Sequence, residues 1–579
     1  MLSKAQFEDV PKELLWDHCN GQCKSGTDEP AQCACSRVPL QSAFDNDSIV
    51  FVGGGLSSIE AAKLVIRAGK KPLLLERSAF LGGIWVSAAN PESRVQVDPV
   101  SFRAVEKIDS PIVSEPDESN PFDSGYPTRA VVLQRLAADV VAAGIKQRTL
   151  FNVEVIGFKR LDGEKIELRV RQNGTDGFHR PEALWPKPDP PCPCCKAADG
   201  EYSVIVKQLH IRSGSLTHGL HRGFSLSYPR AAEYGGKLRR GIGGDITLPE
   251  FKDQRVVIVG MGAFGVENAR RALRGGAKSV TILSRRFDKL LFPERISYLL
   301  RSRLQADDAF EDAKLTQMWR DVFSIVEQGA KATGLDRVIL TPKSVRKVDG
   351  ENHFIFSRGL PSMSSNCLYL AHHYGLVSIL EDEIDSFDGD GSVGLVTKKG
   401  QKIDADVLLL CLGFGTDETV LDGHVVSDSF FVDGTSTITH NLRGDRVNGQ
   451  NLIGAKVKAS NFLISYYEDA QEYERSILRM NEEPKVFEEL KNLEPSRNYG
   501  VVSSVDYFST LVLSDKLARL TDPEMVRILE ENRNVRADMY ENLLSEADFL
   551  ALDERNWNRL SEHFAALTGK AVLKYPFEK

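Results

Sequence analysis

The sequence predicts an α/β protein built on parallel sheets, and three observations carry that expectation. Two stretches, Ser48 to Trp85 and Arg255 to Arg286, each run strand, glycine turn, helix and strand. The chain has 579 residues, 42% of them hydrophobic, enough for sizeable cores in more than one domain. Past about residue 483, apolar residues fall at helical spacing, as in DPEMVRILEENRNVRADMYENLLSEADFLAL. The fold class is therefore two Rossmann-type dinucleotide-binding domains with a C-terminal helical region.

In the first stretch, SIVFV reads as a buried strand and the segment from Ser57 to Gly69 as a helix, with GGG between them. Gly53 lets the chain reverse, Gly55 lets backbone approach a pyrophosphate, and Ser57 and Ser58 open the helix whose N–H groups face the phosphate. Ser58 stands at the usual third glycine, where a small side chain still permits close packing. The next strand, Lys71 to Leu75, ends on Glu76 and Arg77, placing a carboxylate at the spacing that takes ribose hydroxyls.

The second stretch carries a complete G-x-G-x-x-G, with Gly260, Gly262, Ala263, Phe264 and Gly265. Its second strand ends on Ser284, Arg285 and Arg286. Guanidinium groups suit a 2′-phosphate, so this site selects NADPH over NADH. The first site, with its carboxylate, suits the adenosine of FAD, and two such sites in one chain imply hydride transfer from NADPH to the flavin.

The remaining segments are read in chain order. Residues 1–47 form a loop-like arm with Cys19, Cys23, Cys33 and Cys35, and Cys192, Cys194 and Cys195 recur in a Pro-rich insertion over 181–200. Three readings stay open for these thiols: unligated surface cysteines, a structural zinc that clips arm to insertion, or disulfides. After Trp85, the loop SAANPESRVQVDPVSFR sets Arg94, Gln96 and Asp98 alternately along an extended segment that could lie over the reactive end of the cofactor. A helix is expected from Arg129 to Ala143, capped by Thr128 and ended by Gly144, then two alternating strands between Phe151 and Val170. A charged, helix-rich excursion follows Phe287, and a helix is expected from near Ser460. His372 and His373 are adjacent and face different directions, so neither is assigned to catalysis. These boundaries give an arm at 1–47, an FAD domain at 48–235 and 404–482, an NADPH domain inserted at 236–403, and a helical cap at 483–579.

Composition narrows the partners. With 73 basic and 81 acidic residues the net charge is −8, which argues against nucleic acid bound through bulk charge. The longest apolar runs are strand-sized and the N-terminus has no signal-peptide core, so a cytoplasmic protein with no membrane partner is expected. The C-terminal helices could cover a substrate entrance or join copies in a homo-oligomer.

On Gly53, Gly55 and Glu76, Gly82-Gly83-Ile84-Trp85, Tyr126-Pro127-Thr128, Gly260 to Gly265 with its arginines, and DADVLLLCLGFGTD from Asp404, the chain resembles the class B flavoprotein monooxygenases. The likeness covers roughly Ser48 to Ile477 with the insertion excluded, and Cys411, Leu412 and Gly413 stand in place of the family's hinge triplet. It implies an NADPH- and FAD-dependent monooxygenase that uses O₂ through a C4a-peroxyflavin on a small-molecule substrate. Gly83 and Trp85 join the FAD contacts, and Gly413 the cofactor set. Gln96 is the first candidate for a side chain at the flavin ring or nicotinamide, with Asp98 and Arg94 as neighbours. Departures bear on the chemistry. The motif before the second glycine turn survives only as Tyr234, Gly236 and Arg240 without its histidine, and Gln96 stands where Baeyer–Villiger members carry aspartate. N- or S-oxygenation is preferred. The alternatives are Baeyer–Villiger or carbon oxygenation, an NADPH-dependent flavin reductase using Cys192, Cys194 and Cys195 as relay thiols, and a redox-sensing binding protein.

Overall fold

The structure is a computed structural model. It describes residues 10–15, 44, 48–67, 69, 71–95, 116–161, 165–172, 200–206, 208–211, 228–287, 291–296, 312–342, 344–348, 351–354, 363–413 and 546–577, with short strands at 419–421, 424–426, 430–433, 437–439, 463–466 and 499–502. The mixed α/β architecture with parallel sheets is as the sequence predicts.

The first sheet has six strands in the spatial order Thr437–Thr439, Phe430–Asp433, Gln208–Ile211, Ser48–Val52, Lys71–Glu76 and Thr149–Phe151. The last four are parallel, with Ser48 opposite Lys71 and Val52 opposite Leu75. Ser48–Val52 therefore lies between a strand that follows it directly and one that returns much later. At such a reversal of strand order the helices leave a crevice beyond the carboxyl ends of the strands, where the first glycine turn stands. One face of this sheet packs on helices Leu56–Arg67 and Arg129–Ala142, which bury Ile59, Val65, Val132 and Leu136. The other packs Val50, Leu73 and Leu75 against an antiparallel sheet of Val153–Leu161, Lys165–Gln172 and Gly200–Val206.

The second sheet is wholly parallel, in the order Val377–Glu381, Ser279–Ser284, Arg255–Val259, Val407–Leu410 and Lys237–Arg239. Its central strands read as continuous apolar runs because both faces are covered. Arg255 holds the strand starts in register, giving Asp406 two parallel hydrogen bonds, Nε to Oδ2 at 2.9 Å and Nη2 to Oδ1 at 2.8 Å. Val407–Leu410 belongs to the second sheet, because its hydrogen-bonding partners are Arg255–Val259 and Lys237–Arg239.

The charged excursion contains the helix Asp312–Thr333, which buries Val322, Val326 and Ala330 against helix Asn366–His373. The C-terminal helix Glu546–Thr568 and the tail to Phe577 close the same core with Trp557, Leu560, Phe564 and Phe577. One expectation of helix is corrected. Leu463–Tyr466, where a helix was expected from near Ser460, pairs antiparallel with Tyr499–Val502, which lies inside the region read as a helical cap. Both segments are rich in aromatic and β-branched residues, whose strand preference outweighs the helical spacing around them. The cysteine-bearing arm and the Pro-rich insertion lie outside the described residues.

Candidate functional site: two glycine turns joined by a polar loop

The first turn forms where strand Ser48–Val52 ends. Gly53 has φ +103° and donates its N–H to the Leu75 carbonyl at 2.8 Å, so the chain leaves the sheet beside the neighbouring strand. The Gly82-Gly83-Ile84-Trp85 quartet lies directly against this turn: Gly82 N donates to Gly54 O at 2.8 Å. Gly83 has φ +54°, and a Cβ there would stand 3.1 Å from the Cα of Gly55, so the two backbones meet with no side chain between them. This is a backbone cradle of the kind a pyrophosphate requires.

Glu76 is buried, and its carboxylate accepts from Gly54 N at 2.6 Å and from Ser78 N at 2.7 Å. Burial pushes its pKa up, partly offset by the hydrogen bonds from Ser78 and Gly54. With the Ser78 side chain as a third donor, the carboxylate keeps acceptor capacity for one more, the kind of group a ribose hydroxyl calls for. The sequence reading singled out Gly53 and Gly55, yet the crowded residue is Gly54, where a Cβ would lie 2.5 Å from Leu81 Cδ2 and 2.9 Å from Glu76 Oε2. Ser57 lies in the following helix, and Ser58 is fully buried behind the turn with no partner for its Oγ among the described residues. Arg77 follows Glu76 half-buried, its pKa lowered by burial, and Trp85 gives its carbonyl to Arg129 Nε at 2.7 Å.

The second turn has the same logic with a different strand end. Gly260, φ +106°, donates to Leu283 O at 2.8 Å. A Cβ on Gly265 would lie 2.0 Å from the Gly260 carbonyl oxygen, so only glycine lets helix Ala263–Arg274 come this close to the strand. Gly262 is the N-cap residue, with no side chain capping the helix and nothing within 4 Å of where its Cβ would be. The helix thus begins with no side chain over its N-terminus at Gly262, beside Ala263 and the half-buried Phe264, an arrangement suited to a phosphate. Arg285 and Arg286 are exposed just past the strand, while Ser284 is buried and gives its hydroxyl to Arg286 O at 2.8 Å. Cys411 closes the turn with its carbonyl, 2.3 Å from where a Gly260 Cβ would stand. Burial pushes its thiol pKa well up, so it packs as a neutral group, and Gly413 beyond it is exposed with φ +83°.

The loop after the quartet joins the two turns. Glu267, on the helix of the second turn, accepts from Ser93 Oγ at 2.6 Å and Asn90 Nδ2 at 2.8 Å. Arg271 donates to Glu92 Oε2 at 2.8 Å, Asn268 Oδ1 at 2.8 Å and Ile246 O at 2.7 Å. Arg270 Nη2 reaches Glu92 O at 2.8 Å. Sequence reasoning missed these residues. Their signal was present: Glu267, Asn268 and Arg271 recur at i, i+1 and i+4, so polar groups occupy the face of a helix that has to pack.

Of the three residues proposed for chemistry, Arg94 alone is described, and Gln96 and Asp98 lie outside the described residues. Arg94 Nη1 pairs with Asp123 at 2.5 Å and also donates to Tyr126 O at 3.2 Å. These bonds fasten the end of the loop to the segment before Thr128, which caps helix Arg129–Ala142 by accepting from Val131 N at 3.4 Å. Beside Arg94 is a cavity of about 40 Å³. Among the described residues no group of three or more His, Cys, Asp or Glu side chains could hold a metal ion, and no helix is long and apolar enough to cross a membrane.

No protein-family model matches the chain. It is 22% identical over 304 residues to flavin-containing monooxygenase FMO GS-OX2 of Arabidopsis thaliana, covering 48% of this chain and 58% of that protein. It is 24% identical over 276 residues to FMO GS-OX4 of the same plant, covering 45% and 53%. This chain is similar in sequence to flavin-containing monooxygenases. It spans between half and three fifths of the length of the curated relatives it matches. Among solved structures it is similar to OTEMO in complex with FAD and NADP, with 15% identity and TM-score 0.41 over 64% of this chain and 71% of that one. It is likewise similar to S-allyl-L-cysteine S-oxygenase from Allium sativum, with 15% identity and TM-score 0.39 over 91% and 89%.

Proposed function

We propose that this chain is an NADPH- and FAD-dependent monooxygenase that transfers one oxygen atom from O₂ to nitrogen or sulfur of a small molecule. The carrying observation is the joined pair of turns: a carboxylate-ended site and an arginine-ended site, with the helix of the second hydrogen-bonded to the loop that leaves the first. Gly53, Gly54, Gly55 and Gly83 would cradle the FAD pyrophosphate, and Glu76 would take its ribose. Gly262, Ala263 and the helix behind them would hold the NADPH pyrophosphate, with Arg285 and Arg286 on the 2′-phosphate.

The flavin supplies hydride acceptance and oxygen activation when bound. The chain supplies alignment: Glu267, Asn90 and Ser93 fix how the second turn faces the first, and the loop they hold carries Arg94 and Gln96 onward. Gln96 as the amide nearest the reacting rings, and the insertion of the NADPH domain within the FAD domain, are part of this reading. The sequence similarity to proteins named flavin-containing monooxygenases supports it.

The test is ¹⁸O₂ incorporation. Purified protein carrying flavin is supplied with NADPH and a panel of thioethers, amines and ketones. Label in an S-oxide or N-oxide supports the proposal. Label in an ester gives Baeyer–Villiger chemistry instead, and NADPH consumption with no labelled product across the panel refutes oxygen transfer in favour of a reductase.

A further inference from the structure

The cavity beside Arg94 is walled by three parts of the chain: the joining loop and the 121–126 segment, the helix of the second turn, and the C-terminal helix. Its charged lining is Arg94, Arg270, Asp123, Glu267 and Glu294, with Asn556 and Leu560 on the C-terminal side and Cys367 beneath. At about 40 Å³ it holds roughly three water-sized sites, the size of a group of three or four heavy atoms.

The acids are already engaged. Asp123 Oδ1 takes Arg94 Nη1 and Gly125 N, while its Oδ2 takes Asp117 N. Glu267 Oε1 takes Ser93 and Asn90. Glu294 is pushed up to about 7 by burial and by Asp553 behind it, so near neutrality much of it is uncharged. The bases are not fully matched. Arg94, 12% exposed, has a buried Nε with no partner among the described residues. Arg270 has, among those residues, the one hydrogen bond to Glu92 O; burial and then the charge of Arg94 disfavour its own charge, with Glu267 and Glu294 acting the other way. Two guanidinium groups around one small cavity, with donors left over, are matched by a planar anion that accepts on two oxygens.

We infer that this cavity binds a small carboxylate between Arg94 and Arg270, and that the C-terminal helix closes the site with Asn556 and Leu560. That helix is fastened to the 117–124 segment, which lines the cavity with it: Asn556 Nδ2 donates to Ser124 O at 3.1 Å, and Arg559 donates to Asp117 O at 3.2 Å and to Asp123 O. The carboxylate is either a free small acid or the acidic end of the molecule that is oxygenated.

Acetate is the probe, titrated by calorimetry into the flavin-loaded protein, with ethylammonium and ethanol as size-matched cationic and neutral controls. The expected result is saturable binding of acetate and none of either control. Arg270→Met should weaken it about tenfold or more, and Leu560→Trp, which fills the cavity, should abolish it. No binding of acetate by the wild-type protein up to about 50 mM, or equal binding of all three probes, overturns the inference without recourse to any variant. Acetate binding that survives Leu560→Trp in a variant with wild-type circular dichroism also overturns it, by placing the anion elsewhere. Turnover then separates the two sources. If acetate raises KM for a carboxylate-bearing thioether at constant kcat, the site takes the substrate's own acid; if turnover is indifferent, it takes a free one. These arms rest on the proposed oxygenation, but the calorimetry does not, so failure of either is seen separately.

Discussion

Replacing Glu294 with glutamine should remove a pH dependence of stability whose sign is fixed by the surroundings. Glu294 follows the short strand Leu291–Phe292, and its backbone N–H donates to Asn366 Oδ1 at 3.0 Å. Burial is the main influence raising its carboxyl from the ordinary 4.5 to about 7, followed by Asp553, which is held by Asn366 Nδ2 at 2.8 Å and Tyr575 OH at 2.5 Å. Arg270 and Arg94 act in the opposite direction. Between those two pH values the folded protein keeps a proton that the unfolded chain has lost, so stability falls as pH rises through the window. At about 1.4 kcal/mol per pH unit the full effect is about 3 kcal/mol, and because the residue as a whole is half-buried, solvent screening brings it toward about 1 kcal/mol. Glutamine stands in for the protonated acid and does not titrate. Urea unfolding of wild type and Glu294→Gln should therefore coincide near pH 4 and diverge by about 1–3 kcal/mol at pH 8, with the variant more stable. The contribution of Asp553, common to both proteins, largely cancels in the difference. Parallel curves from pH 4 to 8 would refute the burial argument.

Gly265→Ala would place a methyl 2.0 Å from the Gly260 carbonyl oxygen, so the helix must move off the strand, at about 1–3 kcal/mol. Thermal unfolding should show the loss, and NADPH should bind at least about tenfold more weakly while bound flavin is kept. Arg285→Ala with Arg286→Ala should raise KM for NADPH about tenfold or more and leave KM for NADH nearly unchanged, read from steady-state reduction rates with each nucleotide. Trp557→Ala removes a fully buried ring packed on Tyr575 and Phe577, and should cost about 3–5 kcal/mol, measured by chemical denaturation.

Much of the α/β framework was legible because its signals are local. The strand Ser48–Val52, the turn, and the helix Arg129–Ala142 with its Thr128 cap follow from residue spacing within about fifteen positions, and all three form as read. What sequence did not give depends on pairing at long range. Val407–Leu410 reads the same whichever sheet it enters, and only its partners Arg255–Val259 and Lys237–Arg239 decide. Leu463–Tyr466 is four residues long, too short for periodicity to separate strand from helix, and its partner lies more than thirty positions away. The joining network was hidden for a related reason: Asn90, Glu92 and Ser93 look like an ordinary polar loop until Glu267 and Arg271, some 175 positions later, arrive to bond them.

That network bears directly on the proposed hydride transfer, which would require two cofactors held at a fixed separation across the two sheets. Apolar contact alone would permit sliding, since it is non-directional. Asn90, Ser93, Glu267, Asn268 and Arg271 are all at most 6% exposed, and each has named partners, so any displacement of the second helix strands several buried donors at once. The cost of misalignment therefore rises steeply with displacement. Loss of one member leaves its partners unsatisfied, which makes this loop, more than either glycine turn, the place where the two halves of the proposed reaction are kept in register.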